Sequence, residues 1–132
     1  MKIVNRFILF LALTIVFPQL LICQSSIENV IPNNWKIVKT IDVPQEKISS
    51  FNSKLGVEAV TITNDFIEAG ADGIQINIVH CKTEKGAEIV YKKLVALHKS
   101  EDKLLLSGKA VYEFRSLNME LIKKAKSIFK SE

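Results

Sequence analysis

Ile74-Gln-Ile-Asn-Ile-Val-His-Cys-Lys-Thr-Glu-Lys-Gly-Ala-Glu-Ile-Val-Tyr-Lys-Lys-Leu-Val-Ala-Leu97 changes its hydrophobic period halfway, and that change decides the fold. Ile74, Ile76 and Ile78 alternate with Gln75 and Asn77, the period of two that places alternate side chains on opposite faces of a strand. From Glu84 onward Ala87, Val90, Tyr91, Leu94 and Leu97 recur at helical spacing. A strand therefore runs straight into a helix of about Glu84 to Lys99. Thr83 is placed to cap that helix, and Glu88 faces Lys92 one turn on.

Upstream, Val57 to Ile67 is rich in β-branched residues and ends in Ala69-Gly70-Ala71-Asp72-Gly73. Glycines and an Asp-Gly pair are turn chemistry, so this segment and the Ile74 strand form an antiparallel hairpin. Before it, Trp35, Ile37, Ile41 and Val43 fall on one side of an extended segment, with Lys36, Val38, Thr40 and Asp42 on the other. Pro44 suits the first turn of a helix in which Ile48, Phe51 and Leu55 share a face and which Gly56 closes.

Downstream, Leu104-Leu105-Leu106 leads through Ser107-Gly108 into Lys109 to Phe114, read as one bent strand with a short hairpin as the alternative. Asn118 caps a last helix from about Met119 to Lys130, with Leu117 placed to staple onto Ile122. The order strand, helix, strand, strand, helix, strand matches a ferredoxin-like βαββαβ layout of the α+β class. Four antiparallel strands would carry two helices on one face, with the Ile74 strand central and a C-terminal helix appended. The opposite sheet face is then solvated, covered by the last helix, or paired with another molecule.

The 132 residues, 48% hydrophobic and 24% charged, suit one globular domain over residues 35–132. Residues 1–23 read as an N-terminal hydrophobic signal helix. Lys2 and Arg6 precede the apolar run Phe7 to Phe17, and polar Gln24, Ser25 and Ser26 follow. Residues 24–34 read as a linker. Export to the periplasm or extracellular space is the expectation. Leu20-Leu21-Ile22-Cys23 resembles a bacterial lipobox at Leu and Cys and departs from it at Ile22, which makes a lipid-anchored envelope protein acylated on Cys23 the alternative. Retention as a membrane anchor ranks last, because Pro18 and Gln19 interrupt a run that needs about 20 apolar residues to span a bilayer.

Loss of Lys2 and Arg6 lowers the formal net charge from +4 to +2. The remaining charge is lopsided. Residues 24–81 hold four lysines against seven acids, and residues 82–132 hold twelve basic residues against seven acids. The basic residues are not interleaved with aromatics, so Lys92, Lys93, Lys123, Lys124 and Lys126 read as solvated helix faces and nucleic acid is not an expected partner. Membrane contact is expected only through the N-terminal segment or a lipid on Cys23. Without Cys23, Cys81 is the only thiol, so no disulfide framework holds the fold.

His80 and Cys81 are adjacent, and strand alternation sends them to opposite faces, which separates them as a chelating or nucleophile–base pair. A metal site needs three or four ligands, and His98 is the only other histidine, so no cofactor is expected. Asp65, Glu68 and Asp72 read as a solvated hairpin tip, since their spacing is not that of a calcium loop. No Gly-rich phosphate loop, GxSxG elbow or HExxH helix occurs. The leading expectation is a non-enzymatic exported module that binds a protein or small ligand, with homodimerisation through an open sheet as one form of it. Lys36, Thr40, Gln75, Asn77 and Cys81 would then lie on the binding face. The alternative is a small enzyme or haem- or metal-associated protein using His80 or His98.

Overall fold

The structure, a computed structural model, describes residues 27–130. The expected signal segment, Cys23 and the first residues of the linker lie outside the described residues. Five strands form one antiparallel sheet in the order β1-β2-β3-β5-β4: β1 Trp35–Asp42, β2 Ala59–Ala69, β3 Asp72–Cys81, β4 Leu104–Ser107 and β5 Ala110–Arg115. Three helices accompany it, α1 Gln45–Leu55, α2 Glu84–His98 and α3 Met119–Lys130.

The α+β class, the central position of β3 and the appended C-terminal helix are as expected, but the sheet has five strands rather than the four of the βαββαβ layout. Two local causes account for the difference. First, β1 and β2 pair directly along their length, from Trp35 opposite Ala69 to Asp42 opposite Thr63, so α1 joins antiparallel neighbours and is no parallel crossover. Second, the chain folds back at Gly108-Lys109, with Gly108 at φ 58°, and the expected bent strand becomes the hairpin of β4 and β5.

Local signals set the element ends. The Thr83 hydroxyl accepts from the Gly86 N–H at 2.9 Å and caps α2. Gly56 closes α1 in the left-handed region, at φ 64° and ψ 44°. Pro44 stands at the N-cap of α1, one residue before the helix, with φ −61°. Asn118 caps α3 by accepting from the Glu120 and Leu121 N–H groups. Leu117 does not staple onto Ile122, since it is fully exposed.

The sheet is covered on both faces. Ile48 and Phe51 of α1 and Ala87, Val90 and Leu94 of α2 pack with Ile62, Val79, Cys81, Leu104 and Val111. Leu121, Ile122, Ala125 and Phe129 of α3 pack on the other face with Ile74, Ile76, Ile78 and Phe114. Ile27 and Trp35 join this second core, with Val30 and Ile31 against it, so the packed chain begins before Trp35. The isoleucine row, expected under the two earlier helices, lies instead under the last one.

A register shift in β1 between Ile37 and Lys39 explains a second departure. Two residues of a bulged strand oppose one of its partner, which reverses the alternation beyond the bulge. Trp35 and Ile37 therefore belong to the α3 core, whereas Val43 belongs to the α1/α2 core. The bulge and the exposed Lys36 and Lys39 also blunt a sheet edge against pairing with other chains.

Candidate polar site on the central strands

Cross-strand pairing places Asn64 of β2 opposite Asn77 of β3, and Asn77 opposite Glu113 of β5. Directly opposed residues point to the same face, so these three form a row across the middle of the sheet. The row lies on the α1/α2 side, in step with Ile62 and Val79. Asn64 and Asn77 are 0% exposed and Glu113 2%. One position along, Gln75 lies opposite Phe66 on one side and Arg115 on the other.

A hydrogen-bonded chain ties most of these side chains together. The Gln75 amide donates to Asn77 Oδ1 at 2.7 Å, and the Asn77 amide donates to Glu113 Oε1 at 2.7 Å. Glu113 Oε2 lies 2.7 Å from His98 Nε2. His98 is the last residue of α2, and its side chain is 7% exposed. Both Glu113 oxygens are thus engaged, as a buried carboxylate requires.

Two neighbours are left out of this chain. Both side-chain amide atoms of Asn64, and Nη1 of Arg115, are buried without a hydrogen-bond partner. A buried polar group left unpaired costs on the order of 1–3 kcal/mol. Such groups are accounted for by local strain, by an ordered water or ion, or by a functional role.

Of the five residues expected on a binding face, the structure brings Gln75 and Asn77 together. Cys81 shares their face but lies in the apolar core beneath α2, and its Cβ is 3.5 Å from where a Cβ on Gly86 would stand. Burial raises its thiol pKa, which keeps it protonated and unreactive. Lys36 is exposed on the edge strand β1. Thr40 lies on the opposite face because of the β1 bulge, and its hydroxyl donates to Asp65 Oδ1 at 2.6 Å.

Of the two histidines, His98 is in the row and His80 is not. His80 stands opposite Ala110, on the face of the isoleucines, and burial holds its pKa below the ordinary value. The expected acidic tip is dispersed. Asp65 is buried beside Thr40, Glu68 is exposed, and Asp72 accepts from the Asn118 amide at 2.9 Å. Among the described residues no group of three or more His, Cys, Asp or Glu side chains is placed to hold a metal. The lysines of α2 and α3 lie on opposite sides of the sheet and make no common basic surface.

Asn64, Glu113 and Arg115 escaped sequence reasoning. A signal was present at Glu113, which shares strand parity with Val111, a fully buried residue. Asn64 likewise shares parity with Ile62. Compared with protein-family models, curated proteins and solved structures, the chain shows no match.

Proposed function

We propose that this is an exported, non-enzymatic module that binds a small polar ligand at the Asn64–Asn77–Glu113 row. The observation that carries the reading is Asn64, fully buried with both amide atoms unpartnered beside a row whose other members are hydrogen-bonded. Unmet donors and acceptors beside an ordered row are the kind of polar group that fixes a ligand's orientation, and since they have no exposed surface a ligand reaches them only when the elements packed over them open. Helices cover both sheet faces among the described residues, which favours a small ligand over a second copy of the chain docked on an open sheet. Export rests on Lys2, Arg6 and the apolar run that follows them.

Native mass spectrometry of protein taken from its own host tests both halves. The expected species begins beyond the apolar run and carries a non-covalent small molecule that Asn77→Leu releases. A chain that retains Met1 overturns removal of the apolar run, and a chain that is bare under gentle conditions overturns ligand binding. An acyl mass on Cys23 would convert soluble export into lipid anchoring.

The His98–Glu113 contact of 2.7 Å favours a second reading, acid–base catalysis by a histidine that a carboxylate orients. No hydroxyl or thiol among the described residues is hydrogen-bonded to His98, so the reacting proton would belong to the substrate. Turnover by the folded protein that His98→Gln abolishes would support this reading.

A further inference from the structure

A cavity of about 320 Å³ lies where the chain enters β1, lined by Glu28, Pro32 and Asn33 from the segment before the strand and by Trp35, Lys36 and Ile37 of the strand itself. Small-molecule sites begin at about 300 Å³, so there is room for a small ligand. Glu28, Asn33 and Lys36 are exposed, which leaves the cavity open to solvent. β1 is an edge strand. Successive strand side chains leave opposite faces, so a hollow that touches three in a row runs along the outer backbone edge.

The backbone and the side chains there offer complementary groups. The Trp35 N–H turns away from β2 and donates to the Pro32 carbonyl at 3.0 Å. Backbone groups of an antiparallel strand alternate in direction, so Ile37, two residues on, also directs its N–H and C=O away from β2. The register shift after Ile37 ends this edge at once, so it accepts one or two residues of an added chain and not a full strand. Glu28 and Lys36 bring opposite charges to the same cavity, and neither makes an ion pair among the described residues. A main-chain donor and acceptor beside charges of both signs match a zwitterion that carries a peptide group, its carboxylate drawn to Lys36 and its ammonium to Glu28.

We propose that the cavity beside β1 binds a dipeptide, whose peptide group pairs with the Ile37 backbone and whose free ends meet Glu28 and Lys36. This site is separate from the buried Asn64–Asn77–Glu113 row and does not depend on a ligand there.

Isothermal titration of the protein as its host makes it, using alanyl-alanine, its N-acetyl and C-amide derivatives and free alanine as probes, tests the proposal. Trp35 is the one tryptophan of the chain and lines the cavity, so its fluorescence reports whether a probe lands there. Alanyl-alanine is expected to shift Trp35 emission and to bind about threefold more tightly than either capped derivative or alanine, the discrimination that one solvent-exposed charge pair supplies. Lys36→Gln is expected to abolish the preference for a free carboxylate and Glu28→Gln the preference for a free ammonium, each leaving the other preference intact. Both residues are exposed, so neither change touches the core. The proposal is overturned by absence of binding at about 10 mM, by capped probes that bind as well as the dipeptide, or by variants that keep both preferences. Binding that leaves Trp35 fluorescence unchanged places the ligand elsewhere and overturns it as well. If host-derived protein carries a molecule that Asn77→Leu releases while alanyl-alanine does not bind, the β1 site falls and the reading of the buried row stands.

Discussion

His98 and Glu113 meet at 2.7 Å although one ends a helix and the other sits in a central strand, so the last turn of α2 is tied to the sheet by a buried polar contact. Removing one partner of such a contact leaves the other buried and unsatisfied, at a cost of about 1–3 kcal/mol. His98→Leu is therefore expected to be destabilising in urea melts, and adding Glu113→Leu to cost less than the sum of the two single changes, with a residual loss because the second change also removes the acceptor of the buried Asn77 amide. If the double variant is as unstable as the sum of the two single ones, the pair is not coupled.

The second core depends on α3. Phe129 lies 5.1 Å from Tyr112 and 6.0 Å from Phe114 between ring centroids, and it is almost fully buried against the isoleucine row. Phe129→Ala is expected to lower stability by about 3–5 kcal/mol, through lost burial and the cavity left behind. A loss below about 1 kcal/mol, the ordinary cost of a point substitution, would mean that α3 does not hold this face.

The two residues before α3 should behave oppositely. Asn118 accepts from two backbone N–H groups of the helix, so Asn118→Ala is expected to cost about 0.5–2 kcal/mol. Leu117 packs on nothing, so Leu117→Ser is expected to stay within about 0.5 kcal/mol of the parent. Chemical denaturation of both variants checks the contrast.

Burial lowers the His80 pKa below its ordinary 6.5 in the folded protein. The unfolded chain then binds a proton more readily than the folded one, so stability is fully present above pH 6.5 and is lost as pH falls through the folded pKa. His80→Gln is expected to flatten this loss between pH 7 and 5 in thermal melts. An unchanged pH slope would locate the sensitivity elsewhere.

Cys81 is the free cysteine among the described residues, and it is buried with a raised pKa. Since the thiolate is the reactive form, iodoacetamide at pH 8 is expected to modify the native protein at Cys81 at least about tenfold more slowly than the urea-unfolded chain. Intact-mass kinetics report the ratio, and equal rates would contradict the packing beneath α2.

Some of this fold is local and was legible in the residues. The change of period between Ile78 and Ala87, the caps at Thr83 and Asn118, the helix closure at Gly56 and the hairpin at Gly70-Ala71 rest on interactions spanning a few residues. Which face each row meets is not local. One bulge between Ile37 and Lys39 reverses the alternation of β1, and nothing in the surrounding residue types announces it. Whether Leu104 to Phe114 bends or folds back turned on Gly108, which permits both.

The candidate site shows the same division. Gln75 and Asn77 stood out as polar residues alternating with isoleucines, which marks a strand face but not whether that face is open or covered. The amphipathic pattern of a strand is symmetric in this respect, since α2 and α3 offer comparable apolar stripes to either side. Amino-acid order alone determined the three helices, the caps at Thr83 and Asn118, and the β2–β3 hairpin, but not the division of Leu104 to Phe114 into two strands. Only the tertiary structure decided that the isoleucines meet α3 and that Asn64, Asn77, Glu113 and His98, drawn from three strands and a helix, share one buried polar row, because cross-strand register and helix docking set those contacts over long sequence separations.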